Sequence, residues 1–117
     1  MFGFENLDVW QRARRFVNRI YEVTNSYPEK ERFGLTLHTR KSAVSILSNL
    51  AESTSRLSQQ DAQRFIEIAI GSLYEAITQL YIALDNRYLK EETFKELYAE
   101  GEVIGKMLSN LHKSKGS

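Results

Sequence analysis

Apolar residues recur every three or four positions along most of this chain, the spacing that brings them to one face of an α-helix. This pattern predicts four helices, at about residues 8–26, 30–55, 58–85 and 91–113. Strand-like alternation does not extend beyond a few residues. The connections are short, so consecutive helices are predicted to run antiparallel. The predicted fold is all-α, an antiparallel up-down-up-down four-helix bundle in a single domain over residues 1–117.

Residues near the predicted helix ends support these segments. Asp8 is a candidate cap for the first helix, and Ser58-Gln-Gln-Asp61 resembles a capping box at the start of the third. Asn86 is expected to end that helix in a left-handed conformation. Glu91 begins the fourth helix, where a carboxylate suits the positive end of the helix dipole.

The second helix carries an unusual stripe of short polar side chains that includes Ser45, Asn49 and Glu52. Solvent faces are more commonly built from longer charged residues, so the stripe is either a serine-rich surface or a packed polar interface within an oligomer. Arg40 falls inside the apolar arc of the same helix. A guanidinium there needs a partner or must reach past the edge of the core.

The third helix has apolar residues on a second face. Ile68 and Ile82 lie among polar residues, while Tyr74 and Tyr81 border the core stripe one heptad apart. A helix with two apolar faces commonly has a second neighbour, so these four residues are predicted to lie in a subunit interface. Gly71 lies in mid-helix, where a close helix approach would explain its cost relative to alanine.

Charge is unevenly distributed although the net charge is only +1. Residues 1–58 hold nine Lys and Arg against six Asp and Glu, and residues 59–117 hold seven against nine. Arg12, Arg15 and Arg19 project within about 60° of one another on the far side of the first helix. They form either a ridge that follows phosphates or an ordinary solvated face.

Composition and spacing argue against several other classes. Zero cysteines exclude disulfides and thiolate chemistry. The two histidines lack the carboxylate three residues earlier that bundle metal sites use, so no metal and no cofactor is predicted. His38 and Ser42 are four apart, but no orienting acid or oxyanion donor accompanies them, so no catalytic residue is assigned. The chain has no signal-peptide pattern and no apolar run that spans a membrane, and a cytoplasmic protein is expected.

Several ordered segments together resemble the 23S rRNA intervening-sequence protein family, sometimes described as ribosomal-protein-like. They run from Phe4-Glu-Asn-Leu-Asp-Val-Trp-Gln11 through Tyr27-Pro-Glu-Lys-Glu31, Ser48-Asn-Leu-Ala-Glu52 and Ile68-Ala-Ile-Gly-Ser72 to about Leu111. The resemblance implies a four-helix bundle that assembles into a homopentamer. It also implies kinship with the accessory variability determinant protein of diversity-generating retroelements, a basic pentameric ring thought to bind nucleic acid.

These observations predict a non-enzymatic homo-oligomer, a pentamer by resemblance, that binds RNA or another nucleic acid. The predicted phosphate contacts are Arg12, Arg15, Arg19, Lys41 and Arg56. The predicted oligomer interface comprises Arg40, Ser45, Asn49, Glu52, Ile68, Tyr74, Tyr81 and Ile82. The alternative is a protein-interaction adaptor, in which the same arginines pair with acidic groups of a partner protein.

Overall fold

The computed structural model describes residues 1–116, which fold into four long helices. The helices are α1 (Asp8–Thr24), α2 (Leu35–Ser55), α3 (Gln59–Asp85) and α4 (Glu91–Gly116). Two short 3₁₀ turns, Gly3–Asn6 and Glu29–Glu31, precede α1 and α2. No strand occurs within residues 1–116. The predicted all-α class with four helices is therefore confirmed.

Each helix packs against the helices next to it in sequence, and α4 also packs against α1. The apolar faces meet in one central core, whose largest fully buried side chains include Phe16, Ile20, Ile46, Leu50, Ile66, Leu80, Ile104 and Leu108. Each such side chain contributes about 1.5–3 kcal/mol through removal from water. The core is built from all four helices.

The helix ends agree only in part with the predictions. The Ser58 side chain accepts a hydrogen bond from the backbone N–H of Asp61 at 3.1 Å, as the capping pattern predicted. The cap of α1 is Leu7, and Asp8 is instead the first helical residue. Asn86 has a φ of −90°, and the left-handed residue after α3 is Arg87, with a φ of 64°. The left-handed turn therefore falls one residue later than predicted.

Helix α2 begins at Leu35, after a 3₁₀ turn at residues 29–31 that overlaps the predicted start of the helix near residue 30. Glu31 accepts hydrogen bonds from the backbone N–H of Leu35 at 3.2 Å and from the Tyr88 hydroxyl at 3.0 Å. Nearby, Tyr27 packs against Tyr88 with ring centroids 5.8 Å apart. Burial raises the pKa of Tyr27 to about 12. One carboxylate thus starts α2 and joins it to the segment before α4.

Within this chain a close helix approach is found at Gly101 and not at Gly71. A Cβ atom at Gly101 would lie 2.8 Å from Ile77 Cδ1, so glycine allows α4 to pack tightly on α3 at this point. Gly71 is exposed, and a Cβ atom there would meet nothing within 4 Å. The packing of this chain therefore does not explain Gly71.

Candidate nucleic-acid and self-association surfaces

The arginines of α1 line an open groove between α1 and α4 with a volume of about 750 Å³. Its charged side chains are Arg12, Arg14, Arg15, Arg19, Glu22, Glu96 and Glu100. We call this surface the arginine groove. It brings together Arg12, Arg15 and Arg19, three of the five predicted phosphate contacts. Arg14 was missed by the sequence prediction because its position lies outside the 60° sector that the other three share.

Carboxylates already pair with two of these arginines. Arg12 Nε donates to Glu100 Oε1 at 2.8 Å, and Arg12 Nη2 lies 3.5 Å from Glu100 Oε2. The hydrogen bond to Glu100 and its charge raise the pKa of Arg12. Arg19 lies 3.5 Å from Glu22 and 3.8 Å from Glu96. Since all these side chains are substantially exposed, the pairs are open to water and salt.

Arg14 and Arg15 differ from their neighbours in the arginine groove. Arg15 is exposed and has no ion-pair partner within residues 1–116. Arg14 is exposed, lies 3.5 Å from Gln11 Oε1 and places its guanidinium 5.9 Å from the Trp10 ring centroid. Neither contact neutralises the Arg14 charge. The uncompensated positive charge of the groove therefore lies on these two consecutive residues.

The other two predicted phosphate contacts lie elsewhere. Lys41 is exposed on α2, in a shallow cleft beside Tyr21 and Val44. Arg56 follows α2 directly, is paired with Glu52 and lies 3.9 Å from Asp61. Its guanidinium also covers the Phe65 ring at 4.3 Å. The structure thus does not gather the five predicted residues into one site.

The polar stripe of α2 makes contacts within the chain. The Ser72 hydroxyl of α3 donates to Ser45 Oγ at 2.8 Å. The Asn49 side-chain amide donates to both the backbone oxygen and the Oγ of Ser45, each at 2.9 Å. Ser45 and Asn49, which were predicted for an oligomer interface, therefore form a hydrogen-bond network where α2 packs on α3. Glu52 pairs with Arg56 at the end of the same stripe.

Arg40 finds the partners that its position requires at the end of α1. Its Nε donates to Thr24 Oγ1 at 2.8 Å, and its Nη2 donates to Asn25 Oδ1 at 2.9 Å. The guanidinium also lies 4.7 Å from the centroid of the Tyr21 ring. Thr24 is buried, so Arg40 satisfies a polar group where α1 and α2 meet.

The four apolar residues predicted for an interface lie on two different surfaces of α3. Ile68 and Ile82, 42% and 45% exposed, lie on its outer face. Leu37, Val44 and Ser48 are exposed on the adjacent outer face of α2. We call this combined area, with Gly71, the outer α2–α3 surface. Tyr74 and Tyr81 instead line an apolar groove of about 570 Å³ between α3 and α4.

Three aromatic side chains cluster just before α1 and in its first turn. Phe2 stacks on Phe4 with centroids 5.8 Å apart, and Phe4 packs on Trp10 at 4.8 Å. The sequence prediction did not include this cluster. The aromatic residues at positions 2, 4 and 10 were available as a signal, but their meeting depends on the 3₁₀ turn at Gly3–Asn6.

No group of three or more His, Cys, Asp or Glu side chains suited to a metal ion occurs within residues 1–116. None of the described helices is long and apolar enough to cross a membrane. The fold is that of an all-α protein with four long helices, and its clustered arginines lie in an open groove between α1 and α4.

The model of the 23S rRNA-intervening sequence protein family matches residues 5–110, and the chain belongs to that family. Among solved structures, this fold is similar to a protein of unknown function from the S23 ribosomal protein family of Bacteroides thetaiotaomicron VPI-5482. That similarity has a TM-score of 0.80 and covers 90% of this chain and 98% of that chain. At 22% identity it establishes the shared fold. No curated protein matches the chain.

Proposed function

We propose that this protein is a non-enzymatic, self-associating helical bundle that binds RNA through the arginine groove. The observation that carries the proposal is the pair Arg14 and Arg15, two exposed cations without a carboxylate partner in the described chain. Arginine presents a planar fork of donors that fits phosphate oxygens. Arg12 and Arg19 flank this pair, and their exposed ion pairs cost little to exchange for phosphate contacts.

The proposed bundle is the antiparallel up-down-up-down arrangement. Two contacts between α3 and α4 support it: the Gln63 side chain near the start of α3 donates to the His112 carbonyl near the end of α4, and Tyr81 packs against Phe94 at the opposite ends. The ion pairs of Arg12 with Glu100 and of Arg19 with Glu96 support opposite directions for α1 and α4. The arginines of α1 then lie along one side of the bundle.

Self-association, with a pentamer as the proposed state, would repeat this small basic surface around a ring. The outer α2–α3 surface supports such assembly because it exposes four apolar side chains, Leu37, Val44, Ile68 and Ile82. Two exposed charges, Lys41 and Glu75, lie among them. A single copy offers two unpaired arginines, which is a weak anion site. Several copies on one RNA raise the effective concentration of each further contact, so the avidity of the ring exceeds the affinity of one subunit.

The test measures RNA affinity against salt concentration by fluorescence anisotropy with a labelled 20-nucleotide RNA. Removal of two phosphate contacts in Arg14→Gln/Arg15→Gln is expected to weaken binding at low salt and to reduce the slope of log affinity against log salt by about 1.4 per subunit engaged. Lys90→Gln/Lys95→Gln, which removes the same charge outside the arginine groove, is the control. Equal losses in both variants, or no salt-sensitive binding at low ionic strength, would refute the proposal.

A protein partner is the second candidate, and the mixed charge of the arginine groove favours it. Glu96 and Glu100 lie beside Arg12 and Arg19, so the groove offers both signs of charge to a complementary partner. Purification of the protein from native cells with and without ribonuclease separates the two. If the protein binds RNA, the molecules that co-purify with it should be lost after ribonuclease treatment. If it is an adaptor, its bound protein should remain.

A further inference from the structure

The aromatic cluster at the start of the chain lies directly beside the arginines of α1. Phe2 and Phe4 stack nearly parallel, with 10° between their planes, and Phe4 packs on Trp10. The guanidinium of Arg14 lies over the Trp10 ring, 5.9 Å from its centroid. Three aromatic rings and one arginine thus form a continuous series from Phe2 to Arg14, which we call the aromatic ladder.

One end of the aromatic ladder is open to solvent. Trp10, which lies between Phe4 and Arg14 in the aromatic ladder, packs against the hydrophobic core. Phe2 is 71% exposed, and its outward ring face is therefore available although it lies in an ordered stack. An exposed ring that extends a stack is a surface onto which another flat ring can add.

Basic groups accompany other aromatic rings along α1. Arg14 belongs to the aromatic ladder and also lines the arginine groove, and Arg15 follows it. Tyr21, seven residues after Arg14 and therefore on the same side of α1, stacks with Arg40 at 4.7 Å. Interleaved aromatic and cationic side chains are the pattern by which proteins hold unpaired nucleotides, with bases on rings and phosphates on cations.

We propose that the aromatic ladder is a stacking site for the bases of single-stranded RNA, with Phe2 as the accessible ring and Arg14, at the other end of the ladder, as a phosphate contact. This proposal rests on the proposed RNA binding and adds the class of RNA. Bases of a duplex are stacked on each other and paired, so their faces do not reach Phe2. The arginines alone would not distinguish a single strand from a duplex, whereas the ring requires an unpaired base.

The test compares a labelled 12-nucleotide uridine strand with the same strand annealed to its adenosine complement. The single strand is expected to bind at least about fivefold more tightly, the effect of one base stacked on an aromatic side chain. Trp10 is the only tryptophan of the chain, so its fluorescence reports directly on the aromatic ladder. We expect the single strand to change this fluorescence and the duplex to leave it largely unchanged.

Phe2→Ser is the decisive variant, and Phe33→Ser is its matched control. Phe33 is similarly exposed, at 77%, and lies under Arg32 in the turn before α2, outside the aromatic ladder. Phe2→Ser should lose about fivefold or more in single-strand affinity while keeping the wild-type salt slope, because its phosphate contacts remain. Circular dichroism confirms that both variants keep their helices.

The outcomes separate the two proposals. Salt-sensitive binding that is equal for single strand and duplex, or that Phe2→Ser leaves unchanged, overturns the stacking site and leaves the arginine groove as the RNA contact. Absence of salt-sensitive binding to either RNA overturns the proposed function, and the stacking site with it.

Discussion

The arginine groove and the outer α2–α3 surface are built from similar helices but differ in how their side chains are satisfied. The groove holds four arginines and three glutamates, and its ion pairs are exposed. The outer α2–α3 surface exposes isoleucine, leucine and valine beside serines, with its hydrogen bonds turned inward to hold α2 on α3. Exposed charge suits a soluble polyanion, whereas exposed apolar side chains, here with Glu75 midway between Ile68 and Ile82, suit contact with another protein surface.

This contrast is the reason for proposing a different partner for each surface. Exposed ion pairs contribute little to folding, so the arginines are free to exchange partners. The Ser45–Asn49–Ser72 network is different, because its groups bond one another and leave no strong donor for an anion. Within the polar stripe, Ser45 therefore bonds α2 to α3 through Ser72. The apolar residues around it are what the proposed second subunit would cover.

The largest expected effect concerns self-association. Ile68→Glu/Ile82→Glu places two charges on the outer α2–α3 surface, where burial of an unpaired carboxylate is costly. We expect the assembly to dissociate toward the 13.6 kDa monomer, as measured by light scattering coupled to gel filtration. Asn18→Glu/Asn110→Glu adds the same charge at exposed positions of α1 and α4 and should leave the mass unchanged. An unchanged mass in the isoleucine variant would remove the outer α2–α3 surface from the interface.

The next effect compares two arginines that bond differently. Arg40→Met removes hydrogen bonds to Thr24 and Asn25 and leaves the buried Thr24 hydroxyl without this donor, so we expect a loss of about 2 kcal/mol in unfolding free energy. Arg12→Met breaks the exposed pair with Glu100, so we expect a smaller loss that high salt removes. Urea denaturation at matched protein concentration and two salt concentrations measures both.

The contrast between the two arginines has a clear failing result. If the loss in Arg40→Met also disappears in high salt, its contacts behave as surface electrostatics and the distinction between the two regions fails. Equal losses at low salt would contradict it as well, because the hydrogen bond to the buried Thr24 hydroxyl would then contribute no more than the ion pair with Glu100.

Much of the fold could be predicted from the sequence, because helices and their caps depend on residues that are close together in the chain. Helical periodicity predicted the four helices, and Ser58 caps α3 through an N–H only three residues away. Arg12 and Glu100 are 88 residues apart, so their pairing depends on how α1 and α4 pack, which spacing along one helix does not contain. The aromatic ladder was missed for a different reason, because helical periodicity does not describe the short 3₁₀ turn that brings Phe4 onto Trp10.

The residues predicted for an oligomer interface show that periodicity does not separate two surfaces of a single helix. Periodicity placed Ile82 and Tyr81 together as one candidate surface, although consecutive helical residues point about 100° apart. The structure puts Tyr81 in the groove between α3 and α4 and Ile82 on the outer α2–α3 surface. Which of two neighbouring apolar residues faces a groove depends on the position of α4, and that position is a property of the whole bundle.

The smallest expected effect uses two mid-helix glycines as a matched pair. Alanine at either position should gain about 1 kcal/mol of helix propensity. At Gly101 that gain is offset because the new Cβ lies 2.8 Å from Ile77 Cδ1 and the side chain must shift. Gly71 faces open space, so Gly71→Ala should keep the gain and exceed Gly101→Ala in unfolding free energy, as measured by urea denaturation in the Ile68→Glu/Ile82→Glu background.

The same Gly71→Ala change tests the proposed role of the outer α2–α3 surface when it is made in the chain that keeps Ile68 and Ile82. If a helix of a second subunit packs closely over Gly71, the added methyl group meets that helix and the assembly loses stability, although the isolated chain gains it. We therefore expect the stabilisation in the dissociated background to shrink or reverse in the assembled protein. An equal gain in both backgrounds would show that no helix packs closely on Gly71, and the interface would then lie nearer to Ile68 and Ile82 than to the glycine between them.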